Sequence, residues 1–194
     1  SCKAYPKCHN SAPLKFVYVG GVKELKGISY LLEAFMQIPR EHAELTVIGD
    51  FKAEDCDIKR YLNRVHFTGM VLHSEIPHVL HASDVFVFPS LGEGLSLSSL
   101  EAAACGLPLI VSENSGVNDY MKEGQEGFII PIQDIDVIVQ KVKWFCEHRE
   151  RIEPMGQAAR KMALQFTWER YYEQAAQIVK EVALNEKNRK ELYL

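Results

Sequence analysis

Short apolar runs and helical patterns alternate along the first two thirds of the chain. The apolar runs predict strands at 14–19, 44–48, 65–67, 84–88, 109–111 and 127–130. Apolar residues at helical spacing, bounded by polar and glycine residues, predict helices at 26–37, 55–62, 74–81, 97–105 and 116–123. This alternation with short connections predicts an α/β fold, a doubly wound and mainly parallel sheet of about six strands with helices on both faces.

The last third of the chain contains no further strand pattern. Three helical patterns follow, at 135–147, 154–164 and 168–184. Trp144 and Trp168 fit apolar helical faces, which predicts core positions for both. Residues 1–13 are polar and broken by proline, and they are predicted to be a linker or tail. Residues 185–194 are rich in charge and form a second predicted tail, which leaves one domain at 14–184.

A strand, a loop of small residues, a helix and a second strand follow one another within residues 84–111. Pro89 stops the first strand, and two glycines then turn the chain. Three serines can cap the helix that follows, namely Ser96, Ser98 and Ser99. In a parallel βαβ unit this loop lies at the carboxyl end of its strand, and the helix N-terminus offers N–H groups and a positive dipole end to an anion. Glu93 and Glu101 flank that predicted anion site.

Composition narrows the class of protein and of partner. With 194 residues, of which 47% are hydrophobic and 25% charged, the chain is long enough for one substantial core. Its net charge of −4 and its lack of a basic stripe argue against nucleic acid as a partner. Its five cysteines are odd in number and scattered, which favours a reducing cytoplasm over a disulfide framework.

Neither a metal site nor a membrane span is predicted. Cys2 and Cys8 match no common zinc spacing, and the histidines are not spaced with cysteines or carboxylates as ligands would be. His73 and His81 are predicted to be surface residues. No apolar run is long enough to cross a bilayer, and no signal peptide is visible. No Gly-x-Ser-x-Gly sequence occurs, so a hydrolase is not favoured.

The sequence Glu93-Gly-Leu-Ser-Leu-Ser-Ser-Leu-Glu101 resembles the E-x7-E motif of retaining glycosyltransferases of GT-B family 4, the glycosyl transferases group 1. Further ordered motifs extend the resemblance over residues 14–184. They are the glycine and lysine loop at 20–27, a strand and its exit at 65–69, a helix end at 104–108, glycine turns at 115–119 and 124–127, and Phe-Thr-Trp at 166–168. Together these motifs are more specific than any one of them.

The resemblance implies one half of a two-domain enzyme. Members of that family fold as two Rossmann-like domains around a cleft, and this chain is long enough for one, the carboxy-terminal domain that binds the donor. The donor would be a UDP-, GDP- or ADP-sugar, used with no metal or other cofactor to build a glycan or polysaccharide. The acceptor would bind the missing amino-terminal domain, through which peripheral membrane association could occur. The chain alone is therefore expected to bind nucleotide without transferring sugar.

Three charged residues carry the implied chemistry, and each has an alternative role. Lys26 would face the donor diphosphate, where a fixed cation neutralises charge on the departing phosphate, or it is simply a solvated lysine. Glu93 would lie near the reacting carbon, either positioning the sugar or stabilising an oxocarbenium-like transition state, or it is a solvated loop residue. Glu101 would accept hydrogen bonds from both ribose hydroxyls, or it forms a capping box with Ser98.

Backbone groups and one apolar side chain complete the implied site. The resemblance places the donor against two loops and a helix start, where backbone N–H groups hold the diphosphate. These positions are Gly20, Gly21, Gly94, Leu95, Ser96 and Leu97. Met70 is the candidate wall of the base pocket, with a core position as the alternative.

Two positions depart from the family pattern. Gly21 stands where the family usually has an arginine that reaches the diphosphate, and Leu95-Ser96 replaces a Phe-Gly pair. Lys23 is the alternative cation; without it, donor binding would be weaker, or the activity altered or lost. The resemblance therefore leaves open a catalytically inactive module that binds sugar-nucleotide or serves assembly. A nucleotide-sugar epimerase of similar fold is a third option, and it would act on free nucleotide-sugar with no acceptor.

Overall fold

The structure is a computed structural model that describes residues 12–50 and 58–191. Most of the predicted first tail, the start of the predicted helix at 55–62 and the last three residues lie outside the described residues. So do Cys2, Cys8 and Cys56. The chain divides into two compact units after Ala163.

The first unit is built on a six-stranded sheet with the strand order 3-2-1-4-5-6. Every neighbouring pair of strands is parallel. The strands are β1 (Leu14–Val19), β2 (Ala43–Ile48), β3 (His66–Gly69), β4 (Val85–Phe88), β5 (Leu109–Ser112) and β6 (Gly127–Ile130). The predicted doubly wound, parallel α/β sheet is therefore confirmed.

Helices cover this sheet in two layers. They are α1 (Ile28–Met36), α2 (Ile76–His81), α3 (Leu97–Ala104), α4 (Ile135–Glu147) and α5 (Ile152–Ala163). The chain adds strands outward from β1 in one direction and then, from β4, in the other. Because parallel crossovers are right-handed, this reversal places α1 and α3 on opposite faces. In agreement, α1 contacts α4, whereas α3 contacts α5.

The core lies between these helix layers, and the sheet is apolar on both faces. All residues of β4 and of β5 are buried, as expected for the centre of a parallel sheet. The rings of Tyr18 and Phe88 are stacked with centroids 5.6 Å apart, and those of Phe86 and Phe88 are 6.2 Å apart. This aromatic column joins β1 to β4 where the two central strands meet.

Several helices differ from their predicted bounds. The predicted helix at 26–37 is divided at Gly27, whose positive φ of 67° separates the 3-10 helix Glu24–Lys26 from α1. The predicted helix at 116–123 is reduced to the 3-10 helix Val117–Tyr120, which follows a glycine with φ of 73°. Two further 3-10 helices lie at Ile58–Arg60 and Arg149–Arg151, and the second falls between two predicted helices. At Gly27 and Gly116, a local turn conformation interrupts or replaces the helix that apolar spacing predicts.

The second unit contains one long helix, α6 (Trp168–Glu191), which continues beyond the predicted end at residue 184. The predicted core position of Trp168 is wrong, because its side chain is 62% exposed and contacts the rings of Tyr171 and Tyr172 on the same helix. Trp144 of α4 is partly buried and packs edge-on against Phe128 and Phe145. No helix within the described parts of the chain combines the length and apolar character that a bilayer crossing needs.

Candidate functional site

The candidate site lies at the carboxyl ends of β1 and β4. These strands are adjacent and parallel, and the strand order reverses between them. Such a reversal opens a crevice between the loops that leave the two strands, because one chain segment turns to each face of the sheet. The segments 20–27 and 89–96 are these two loops, and they contain most of the site residues predicted from sequence.

The two loops are joined through their backbones. A Cβ at Gly27 would lie 1.8 Å from the carbonyl oxygen of Pro89, so only glycine allows this approach. The carbonyl oxygen of Leu25 accepts a hydrogen bond of 2.9 Å from the backbone N–H of Leu91. It also accepts one of 3.2 Å from the hydroxyl of Ser90. The position of one loop is therefore fixed relative to the other.

A third segment, after β5, holds the second loop from its other side. The backbone N–H of Glu93 donates to the carbonyl oxygen of Asn114 at 2.9 Å, and that of Ser96 donates to Ser115 at 3.1 Å. A Cβ at Gly116 would lie 2.2 Å from the carbonyl oxygen of Gly94. Sequence analysis missed this support, because nothing in the local pattern shows which turns will touch.

An ion pair links the two loops at the switch point. The ammonium of Lys26 lies 2.6 Å from Oε1 of Glu93 and also contacts Oε2. The exposed fractions of the two side chains are 25% and 22%, respectively. The two predicted catalytic residues thus lie together and are only partly solvated, and their roles stay predictions. At such a partly buried site the cation can bind an anionic group. The adjacent carboxylate can accept hydrogen bonds from a hydroxyl-bearing group.

The start of α3 is capped by Ser96. Its hydroxyl oxygen accepts a hydrogen bond of 3.2 Å from the backbone N–H of Ser99 and lies 2.7 Å from the Ser99 hydroxyl. Since the cap is Ser96, Glu101 stands beyond the third helical position, and the capping-box alternative is wrong. The N–H of Ser96 is engaged with Ser115, so a diphosphate there would meet the N–H groups of Leu95 and Leu97.

Glu101 lies one turn into α3 and contacts the loop that follows β3. Its Oε1 is 3.1 Å from Nε2 of His73, an exposed residue that sequence analysis treated as surface only. The contact joins positions 28 apart in sequence, and only the packing of α2 against α3 brings them together. Met70, in the same loop, is 78% exposed. Its alternative as a core methionine is wrong, and its role in a base pocket stays a prediction.

Tyr18 lies beneath the first loop and was not predicted to belong to the site. Its side chain is fully buried, and its hydroxyl donates a hydrogen bond of 3.0 Å to the carbonyl oxygen of Gly21. Burial first, and then the negative charge of Glu93, raise the pKa of the Tyr18 phenol far above its ordinary value. One sequence signal could have identified Tyr18. It is a tyrosine on a predicted buried strand, two residues before a glycine pair, and a buried tyrosine hydroxyl needs a nearby hydrogen-bond partner.

Space is open around parts of both loops. A Cβ at Gly92 or Gly94 would meet no atom within 4 Å. A Cβ at Gly21 would meet nothing closer than the side chain of Lys23, at 3.8 Å. A ligand could therefore approach the backbone there without displacing protein atoms. Within the described residues, no group of three or more His, Cys, Asp or Glu side chains is placed to hold a metal ion.

Comparisons of this chain with family models and with known proteins agree with one another. A family model described as "Glycosyl transferases group 1" matches residues 6–162. The glycogen synthase of Mycobacterium tuberculosis is 28% identical over 176 residues, which cover 87% of this chain and 42% of that protein. The UDP-Gal:alpha-D-GlcNAc-diphosphoundecaprenol alpha-1,3-galactosyltransferase of Escherichia coli is 50% identical over 66 residues, which cover 34% of this chain and 17% of that protein.

A solved enzyme structure is also similar to this chain over most of its length. Sucrose-phosphate synthase from Thermosynechococcus elongatus superposes with a TM-score of 0.79 and 25% identity, over 92% of this chain and 47% of that one. The chain thus spans less than half the length of this glycogen synthase and of this sucrose-phosphate synthase.

Proposed function

Since the chain belongs to the glycosyl transferases group 1 family, we propose that it is the donor-binding domain of a retaining glycosyltransferase of GT-B family 4. The whole protein transfers a sugar from a nucleotide diphosphate-sugar to a hydroxyl acceptor, in the cytoplasm, for glycan or polysaccharide synthesis. The bond from the anomeric carbon to the diphosphate oxygen breaks, the acceptor oxygen bonds to that carbon on the same face, and the acceptor proton leaves with the nucleotide product.

One observation carries this proposal. The loops after β1 and β4 meet at the switch point of the sheet, and they bring Lys26 and Glu93 into contact. Ligands of doubly wound sheets bind in the crevice at this place. The start of α3 lies at the end of the second loop, and Glu101 lies one turn further along. A cation, a carboxylate, a helix start and a second carboxylate thus follow one another along one edge of the sheet.

Each part of the donor has a matching partner among these groups. Lys26 and the N–H groups of Leu95 and Leu97 bind the diphosphate, which a positive helix end favours. Glu93 accepts hydrogen bonds from the sugar, and Glu101 accepts them from the ribose hydroxyls. Met70 covers the base. The donor is a UDP-sugar, because a relative that is 50% identical over 66 residues is named for a UDP-Gal substrate. GDP- and ADP-sugars are the other members of the class.

Calorimetric titration of the 194-residue chain with UDP, GDP and ADP tests the proposal. UDP is expected to bind most tightly. Glu101→Ala should weaken binding about 10- to 100-fold, because each hydrogen bond to a charged acceptor contributes about 1.5–3 kcal/mol. Glu33→Ala, on α1, is the control for loss of a carboxylate that pairs with Arg60 rather than with the site.

Two outcomes would contradict the proposal. If none of the three nucleotides binds to the folded chain, donor binding is wrong. If UDP binds with the same affinity to Glu101→Ala as to the unaltered chain, the ribose role of Glu101 is wrong. Thermal unfolding of each variant shows whether the domain remains folded.

A second candidate function rests on Gly21. This position lacks a cationic side chain, so the diphosphate has fewer positive partners than the family pattern supplies. The chain would then belong to an inactive module that binds sugar-nucleotide without transferring it. Steady release of UDP from UDP-glucose by the whole protein in the presence of acceptor would exclude that candidate.

A further inference from the structure

The ion pair of Lys26 and Glu93 joins two groups that contact different parts of the proposed donor. Lys26 serves the diphosphate, and Glu93 serves the sugar. Here the two side chains bind each other, with Lys26 Nζ within hydrogen-bond distance of both carboxylate oxygens. They are also withdrawn from most of the solvent. A phosphate that binds Lys26 therefore competes with Glu93 for the three N–H donors of its ammonium.

Backbone contacts hold the two loops together. Gly27 packs directly against Pro89, and Leu25 accepts hydrogen bonds from Leu91 and Ser90. The backbone positions on which Lys26 and Glu93 stand are thus held together. Only the side chains can change partners when a ligand binds.

The free-energy consequence differs between two ligands of the same site. A nucleoside diphosphate draws Lys26 away from Glu93, weakens the ion pair and places a negatively charged phosphate next to the carboxylate. A half-buried charge that loses its partner is costly, because water replaces the lost contact only in part. An intact sugar donor brings hydroxyl groups that donate to Glu93 and so replace the lysine.

We propose that Glu93 makes this site prefer the intact sugar donor over the nucleoside diphosphate that remains after transfer. The inference rests on the proposed function. Glu93 weakens the binding of the product nucleotide, so product leaves and a new donor enters, while the sugar hydroxyls compensate the carboxylate in the donor complex. Lys26 is the group through which this preference acts.

Calorimetry of the 194-residue chain with UDP and with UDP-glucose tests the inference. Glu93→Gln keeps the shape of the side chain and removes its charge. UDP should bind to this variant about 3- to 30-fold more tightly than to the unaltered chain, because Lys26 is no longer neutralised. UDP-glucose should bind with unchanged or lower affinity. The dissociation constant of UDP divided by that of UDP-glucose should therefore fall.

The matched control is Glu123→Gln. Glu123 lies before β6 and pairs with Lys141, so this variant removes the same charge at another place. It should leave both affinities unchanged. In a second measurement, Lys26→Gln should weaken UDP binding. In that background the addition of Glu93→Gln should change UDP affinity by a smaller factor than it does alone, since the pair is already broken.

The outcomes separate this inference from the proposed function. If the unaltered chain binds UDP but Glu93→Gln binds it equally or more weakly, the inference is wrong and the donor site stands. The same holds if UDP and UDP-glucose affinities change by one common factor. If the unaltered chain binds neither ligand, both the inference and the proposed function are wrong. Thermal unfolding confirms that each variant is folded.

Discussion

Gly21 is the residue at which the site has room for a charge that it lacks. Its Cβ position faces only the Lys23 side chain, at 3.8 Å, and its φ lies outside the positive range that disfavours other residues. An arginine there would start next to the backbone of the first loop without a clash. Its guanidinium carries a fixed charge and several N–H donors that match phosphate oxygens.

Gly21→Arg is therefore expected to tighten UDP binding, by about tenfold, as one added charge-assisted hydrogen bond would do. The dissociation constant should also rise more steeply with salt than that of the unaltered chain. Titration at two salt concentrations measures both effects. Gly21→Gln is the control, because it fills similar space without charge. Equal affinities for the two variants would show that position 21 does not face the diphosphate.

The charged residues of the site could be found from sequence, but their contacts could not. Lys26, Glu93 and Glu101 lie in motifs that fix their chemistry and local spacing. The pairing of Lys26 with Glu93 spans 67 positions, and that of His73 with Glu101 spans 28. Such contacts depend on the strand order and on side-chain directions, neither of which the local pattern contains. For the same reason Tyr18 was predicted only as part of a buried strand.

At the scale of elements, the turn after β5 determines where the second loop lies. Gly116 has φ of 73°, and a Cβ there would overlap the carbonyl oxygen of Gly94. Gly124 has a similar φ of 78°, but a Cβ there would meet no atom within 4 Å. The two positions have similar φ, and they differ in the contact with the loop that carries Glu93.

Comparison of Gly116→Ala with Gly124→Ala isolates this contact. An alanine at positive φ is disfavoured by about 1–2 kcal/mol or more, so both variants should have lower unfolding temperatures. Gly116→Ala should in addition displace the loop at 93–96, so that UDP binding weakens at least tenfold. Gly124→Ala should bind UDP as the unaltered chain does. Equal losses of affinity in the two variants would contradict a specific role for the turn.

The elements themselves were largely predictable where one pattern dominates. The buried strands and the unit from β4 through α3 to β5 follow from apolar runs, serine caps and glycine ends. The 3-10 helix Glu24–Lys26 shares only Lys26 with the predicted helix at 26–37, and Val117–Tyr120 lies within the longer predicted helix at 116–123. Their shortness reflects positive-φ glycines that touch distant loops, which is tertiary information.

At the scale of the molecule, alternation of strand and helix predicts the parallel sheet but not its strand order. The order 3-2-1-4-5-6 determines that the loops after β1 and β4 meet, and hence that a site exists between them. Trp168 on α6 is a position where helical spacing predicts the wrong burial. Helical spacing predicts that Trp168 lies on an apolar face, yet spacing does not say what covers it, and its side chain is 62% exposed.

The proposed role of this chain as a donor-binding domain gives the last prediction. The residues proposed to bind the diphosphate, the ribose and the sugar all lie in the first compact unit. The chain covers 42% of the glycogen synthase and 47% of the sucrose-phosphate synthase that it matches. We expect the 194-residue chain to bind UDP and UDP-glucose but to form no glycoside.

The measurement is the transfer of labelled glucose from UDP-glucose to a panel of hydroxyl acceptors, at chain concentrations where binding is saturated. Binding without product is the expected result, because an acceptor hydroxyl must be held and deprotonated beside the anomeric carbon before transfer can occur. Free glucose is counted separately, since slow hydrolysis needs only water. A glycoside product from this chain, lost in Lys26→Gln and retained in Glu123→Gln, would show that acceptor binding also resides here.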